Sequence, residues 1–305
     1  MKDPINTIKE SIKRHTLIEE LFGALLMVIG YGNKYMVGIN SMYKTYRKIN
    51  RKYKHLIGQK SFDKSDCEDK SNTIWLCWLQ GIENAPELVR NCYESVKYNC
   101  KAWNIVVINR DNLFDYVDLP DYIIEKWEKG IITNTHLSDI IRLNLLTRYG
   151  GLWLDATVYL TSPIPDYVTS DDFFVFRNGW FNDEMINMGS WFMYSKKDNI
   201  LLLETQNLLF EYWKKKNYLN QYFLMHIFFR MVSDYYPEQW QRVKYFNHID
   251  QHVLAMELDQ KYDKKRIEQI TKLTSIHKLS NKIDIASFDK DSYFYKLSQI
   301  YKQDF

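Results

Sequence analysis

From Ser71 onward, short apolar runs alternate with longer amphipathic stretches, and this alternation limits the possible folds more than any other feature. "TIWLCWL", residues 73–79, reads as a buried strand, "QGIENA" as a polar loop, and Pro86 suits the first position of a helix over "PELVRNCYESVKYN". "WNIVVINR" repeats the buried-strand pattern and gives way to a loop at Asp111 and Asn112. Parallel strands need a long crossover between them, usually a helix, so this order predicts an α/β sheet rich in parallel pairs.

The next unit carries the chemistry. "LPDYIIEKWEKG" predicts a short helix ended by Gly130. Ser138 is placed to cap a second helix in which Ile140, Ile141, Leu145 and Tyr149 recur at helical spacing, and Gly150 suits the left-handed position that closes it. Gly151 opens the next turn and "LWLD" reads as a strand ending on Asp155. That puts a carboxylate at the carboxyl end of a buried strand, where ligands gather in open α/β sheets. Asp139 and Arg142 share a helical face, either as an exposed ion pair worth a few tenths of a kcal/mol or as functional groups delivered toward Asp155. Val158–Leu160, "FFVF" and "GSWFMYS" read as further strands, followed by helices over 198–216 and 219–235. Most aromatics of "FEYW", "QYFLMHIFF" and "DYYPEQW" are assigned to the core.

Composition narrows the setting. A chain of 305 residues, 46% hydrophobic and 26% charged, can bury a full core. Cys67, Cys77, Cys92 and Cys100 form no CxxC pair, which argues against a zinc ribbon or a disulfide framework and for a reducing, cytoplasmic setting. The apolar stretch 21–29 follows Glu19 and Glu20 and precedes Gly30; it is too short for a membrane span and lacks a signal-peptide cleavage pattern. Residues 1–60 hold 12 Lys and Arg against 4 Asp and Glu, leaving 29 against 34 in the rest, so a net charge of +3 hides a basic front and an acidic body. "YKTYRKINRKYKHL" fits an anionic membrane surface or a solvated helical face; no nucleic-acid motif accompanies it, so no nucleic-acid partner is expected. Residues 1–70 are therefore read as a basic helical N-terminal segment and 71–305 as the main domain.

"LSDIIRLNLLTRYGGLWLDATVYLTSPIP", preceded by "IWLCWLQGIENAPELVRNCYESV" and followed by "IHKLSNK", resembles the bacterial capsular polysaccharide synthesis glycosyltransferases. These belong with the DxD sugar transferases that include fungal mannosyltransferases, and the likeness spans 73–282. The resemblance implies a GT-A fold, a Rossmann-like mixed sheet flanked by helices, here with an added helical N-terminal segment. It also implies transfer of a hexose, galactose or glucose, from a UDP-sugar with retention. The expected acceptor is a lipid-linked oligosaccharide on the inner face of the plasma membrane, with the enzyme held peripherally. A divalent Mn²⁺ or Mg²⁺ would offset the charge of the leaving diphosphate.

Residue by residue, Asp155 is expected to ligate the metal and to act in catalysis with Asp139 and Arg142, which would face the donor. "DAT" departs from the DxD pattern by placing Thr157 where the second Asp stands; Thr157 and His277 of "IHKL" are expected to complete the metal shell. Trp78 is the candidate for stacking on uracil, with Trp75 its competitor. A helix-to-strand turn is enough to account for Gly150 and Gly151, but Gly151 is also expected beside the donor. Asn182, Asp183, Gln221 and His226 are expected to meet the acceptor. Either the leaving phosphate takes the acceptor's proton during same-face attack, or Asp183 or Glu184 serves a double displacement. Two other classes stay open: a metal-dependent phosphosugar transferase or hydrolase, and a non-catalytic glycan-binding protein.

Overall fold

A computed structural model of the protein describes residue 12, residues 17–178 and residues 185–301. Asn182, Asp183 and Glu184 lie outside the described residues.

The described residues contain seven strands: β1 (Thr73–Cys77), β2 (Asn104–Ile108), β3 (Gly151–Leu154), β4 (Val158–Leu160), β5 (Phe173–Arg177), β6 (Met188–Ser195) and β7 (Ile276–Lys278). Five form a central sheet in the order β2-β1-β3-β6-β5, and β4 pairs with β7 in a small second sheet. β1 runs parallel to β2 and β3, whereas β6 runs antiparallel to both β3 and β5. The sheet is thus mixed rather than predominantly parallel. Helices carry the chain between β1, β2 and β3, but the described residues between β3 and β6 contain no helix beyond a 3₁₀ turn at Asp166–Val168, and the chain returns antiparallel.

The longer helices are α1 (Leu17–Val28), α2 (Lys34–Tyr53), α3 (Glu87–Asn99), α4 (Asp121–Glu128), α5 (Asn134–Tyr149), α6 (Ile200–Lys215), α7 (Leu224–Tyr235), α8 (Lys264–Leu273) and α9 (Tyr293–Ile300). Alternation along the strands divides the core. Trp75, Trp153, Val175 and Met193 pack with apolar residues of α5, α6 and α7 on one face. Ile74, Leu76, Leu152, Leu154, Phe174 and Phe192 pack on the other face with β4 and Val96 of α3.

Two helix boundaries differ from expectation for local reasons. α5 is capped by Thr133, whose hydroxyl accepts the His136 N–H at 3.3 Å, while Ser138 lies inside the second turn and donates to the Thr135 carbonyl at 2.7 Å. The helix is buried on almost every side, so its apolar period is weak and its start is hard to read. α7 begins at Leu224, not 219, because the Tyr212 hydroxyl donates to the Tyr218 carbonyl at 2.6 Å and accepts the Asn220 N–H at 3.0 Å, fixing that segment as a loop.

The basic segment joins the body through its end. Ile49 and Tyr53 of α2, with Ile57, are buried in the main core, and Glu204 of α6 accepts the Gly58 N–H at 2.7 Å and the Tyr236 hydroxyl at 3.2 Å. α1, by contrast, exposes Ile18 (80%), Leu21, Phe22, Leu25 and Val28 (84%). Among the described residues no helix is long and apolar enough to cross a membrane.

Candidate functional site

At the carboxyl ends of β1 and β3 the chain opens into a cleft of about 860 Å³, within the range of small-molecule sites. Trp78 enters it directly after β1, Asp155 directly after β3, and Asp139 and Arg142 from α5. Helix α5 and strand β3 are joined by Gly150 and Gly151, both at positive φ, which lets the helix fold straight back onto the sheet and bring Arg142 against Asp155.

Arg142 is the centre of the arrangement. Its side chain is only 3% exposed and bridges two carboxylates, donating to Asp139 Oδ1 at 2.7 Å and to Asp155 Oδ1 at 2.9 Å. The guanidinium also lies 4.8 Å above the Trp153 ring, whose Nε1 donates to the same Asp155 oxygen at 3.0 Å. The pair is therefore not an exposed helical decoration: a desolvated cation is held between two acids. Behind Asp139, Trp213 Nε1 donates to His136 Nε2 at 2.9 Å, which leaves the His136 proton on Nδ1, 3.6 Å from Asp139 Oδ2. Burial lowers the His136 pKa to about 4, so this imidazole is neutral. The acids are tuned in opposite directions. Burial raises the Asp139 pKa against the pull of Arg142, whereas for Asp155 the same burial is outweighed by Lys278, Arg142 and the Trp153 hydrogen bond, and its pKa falls.

Trp75 and Trp78 separate cleanly. Trp75 is fully buried and donates to the Gly150 carbonyl at 2.8 Å, so it belongs to the core, while Trp78 lines the cleft with its indole N–H buried and without an acceptor among the described residues. His226 also lines the cleft, packed edge-on against Phe223, and burial lowers its pKa to about 4.

Three expectations are corrected. Gly151 opens β3 at the end opposite Asp155 and does not line the cleft; an added Cβ would meet the Thr73 carbonyl at 2.6 Å, so its role is close packing of backbone. Gln221 is absent from the lining and its side-chain carbonyl accepts the Tyr222 N–H at 2.7 Å; Tyr222 and Phe223 face the cleft instead. His277 is fully buried, with Nε2 3.2 Å from Thr161 Oγ1 and a pKa lowered to about 4 by burial, and it is not part of the cleft wall. Neighbouring residues in a strand face opposite sides, and it is Lys278 that turns inward.

Lys278, His248, His252, Trp191 and Lys282 also line the cleft, and sequence reasoning missed them. For Lys278 the signal lies in "IHKL" itself, one residue beyond the histidine. Its ammonium lies 3.3 Å from Asp155 Oδ2 and donates to Thr157 Oγ1.

The residues at this point do not make a metal cage. Both Asp155 oxygens already face cationic or N–H donors, the Thr157 hydroxyl accepts from an ammonium, and no cluster of three His, Cys, Asp or Glu side chains suited to a metal occurs among the described residues.

The model of the family described as capsular polysaccharide synthesis protein matches residues 31–297. The chain belongs to that family. The match begins well upstream of residue 73 and takes in α2 with the sheet and the cleft. An O-glycosyltransferase, braB, of Annulohypoxylon truncatum is 30% identical over 102 residues, covering 30% of this chain and 24% of its own length. Another, PaGT of Phomopsis amygdali, is 31% identical over 107 residues, or 32% and 26% of the two chains. The similarity thus spans about a quarter of the curated relatives' length. Among solved structures, one named PaToxG glycosyltransferase aligns over 84% of this chain and 95% of its own, at 14% identity and a TM-score of 0.40. That likeness is too distant to bear on the fold, which rests on the strand order above.

Proposed function

We propose that the chain is a glycosyltransferase that moves a hexose, galactose or glucose, from a UDP-sugar to a lipid-linked oligosaccharide, with retention at the anomeric carbon. The observation that carries this reading is the Asp139–Arg142–Asp155 bridge in the cleft wall beside Trp78, with Arg142 buried and both carboxylates partly open to the cleft. Desolvating the guanidinium is costly, and a fold keeps such a constellation where a polar ligand completes it. Arg142 Nε and Trp78 Nε1 are buried donors without an acceptor among the described residues, matched to the phosphate, ribose and uracil oxygens of a nucleotide sugar.

In this reading Trp78 offers its ring to the base. Asp139 accepts from a sugar or ribose hydroxyl, and Arg142 holds Asp155 in its ionised form. Tyr222, Phe223 and His226 line the same cleft beside Asp139 and Arg142, and their aromatic faces suit an acceptor sugar. Anchoring at the inner membrane face is part of the proposal: exposed apolar residues of α1 sit next to the basic α2, the pattern of an interfacial anchor.

The test is release of UDP by purified protein from a panel of UDP-sugars, with Mn²⁺, Mg²⁺ or EDTA, beside Asp155→Asn. Slow release from one sugar, lost in the variant, supports the reading and names the donor. If no donor is bound or cleaved under any condition, the transferase reading fails and a glycan-binding role takes its place.

A further inference from the structure

Lys278 sits where this family resemblance would put a metal ion. Of the two side chains at the DxD-like positions, Asp155 turns Oδ2 to the Lys278 ammonium at 3.3 Å, and Thr157 accepts a hydrogen bond from the same nitrogen. The other Asp155 oxygen is occupied by Arg142 and Trp153 at 2.9 and 3.0 Å. The position is built rather than accidental: the Leu279 N–H donates to the Thr157 carbonyl at 2.9 Å, and β7 is paired along its length with β4, so backbone pairing holds the lysine opposite Val158, next to Thr157. Its side chain is 20% exposed and opens on the cleft, with Lys282 further along the wall.

Charge supplies the second argument. Two carboxylates match a divalent cation, whereas one carboxylate and one hydroxyl match a monovalent one. The hydroxyl of Thr157 in place of a second carboxylate and the ammonium of Lys278 beside it are thus matched in charge.

We propose that the Lys278 ammonium, seated between Asp155 and Thr157, takes the place of the divalent cation and stabilises the departing nucleoside diphosphate, so that transfer in this cleft requires no metal. The inference rests on the glycosyl-transfer reading above. In the step it serves, the bond between the anomeric carbon and the diphosphate oxygen breaks, and its electron pair leaves with the phosphate. The acceptor hydroxyl oxygen bonds to the anomeric carbon, and its proton ends on the diphosphate. Lys278 keeps its protons throughout and directs N–H donors at the phosphate oxygens as they gain charge.

The experiment is calorimetric binding of UDP, GDP, CDP and ADP to the full chain in EDTA and in Mn²⁺, for the wild type, Lys278→Met and Lys278→Arg. Thermal melting of each variant establishes folding, and Mn²⁺ paramagnetic resonance is recorded with the diphosphate that binds. One diphosphate is expected to bind the wild type with affinities in EDTA and Mn²⁺ that agree within about threefold. Lys278→Met should weaken it about tenfold to a hundredfold, the scale of a charge-assisted hydrogen bond, and Lys278→Arg should restore most of the loss. The Mn²⁺ signal should match that of the ion with free diphosphate. Binding that needs Mn²⁺, a Mn²⁺ signal broadened by the protein, or a Lys278→Met protein that binds like the wild type would overturn the proposal and leave the transferase reading standing. If none of the four diphosphates binds in either condition, the transferase reading falls and this proposal falls with it.

Discussion

Replacing Arg142 by Met keeps much of the side-chain volume but leaves Asp139 and Asp155 facing each other without the cation that bridges them at 2.7 and 2.9 Å. Removing one partner of a buried ion pair typically costs about 3–5 kcal/mol, because the remaining charge stays desolvated. At about 2–4 °C per kcal/mol for a chain of this class, the melting temperature should fall by about 6–20 °C at neutral pH. The pH dependence provides a second signature. In the wild type the Asp155 pKa is lowered, so its contribution is present above the unfolded carboxylate pKa and is lost as pH falls through the folded value. Without Arg142, Asp139 loses the cation that opposes its burial and its pKa rises further, whereas Asp155 keeps Lys278 and the Trp153 hydrogen bond. Asp139 then favours the folded state when protonated, and that contribution is lost as pH rises through the folded pKa. Acidification from pH 7 toward 5 should therefore narrow the gap between variant and wild type, and Asp139→Asn added to Arg142→Met should recover part of the loss. Scanning calorimetry across that range is the assay. A variant melting within 2 °C of the wild type at pH 7, with a parallel pH profile, would refute the reasoning that Arg142 compensates two buried acids.

Trp78→Ala should weaken nucleotide binding by about 1–3 kcal/mol, the worth of one stacked base, with little change in melting temperature. Trp75→Ala should do the reverse, costing about 3–5 kcal/mol of stability as a core cavity opens; paired titration and melting of the two variants separate the roles. Gly151→Ala, at φ +105° with backbone oxygen 2.6 Å from the new Cβ, should lower the melting temperature markedly and, where folded protein is recovered, leave nucleotide affinity unchanged. His277→Gln should reduce stability through the loss of its packing and its contact with Thr161, while the response of activity to Mn²⁺ or EDTA stays that of the wild type.

How far the sequence could be read follows from which physical signals are local. The alternation from β1 to β2 and the approach to Asp155 through Gly150 are local patterns, and the structure contains them as expected. Asp139 and Arg142 could be paired from helical spacing alone, but their burial could not, because it depends on α7 and Trp153 closing over them. Trp78 and Trp75 lie on one short run, and what separates them is where the strand ends: Trp75 is at the centre of β1, and Trp78 follows its last residue and lines the cleft. Lys278 was hardest to find: its value comes from pairing β7 with β4, 116 or more residues apart in sequence, a contact that no spacing rule announces. The same pairing turns His277 away from the cleft and into the interior, which a motif quoted as a string cannot show.

The burial of Ile49, Tyr53 and Ile57, together with the Glu204 hold on Gly58, has a consequence for how the chain can be shortened. Proteolytic trimming between α1 and α2, around Gly30 and Tyr31, would remove an exposed apolar helix and leave the main core intact. Trimming past Lys54 would pull Ile49 and Tyr53 out of the interior, so the fragment is expected to aggregate rather than to stay in solution as a folded body. The frontier between a detachable helix and the indispensable body therefore falls inside the basic segment, between its two helices.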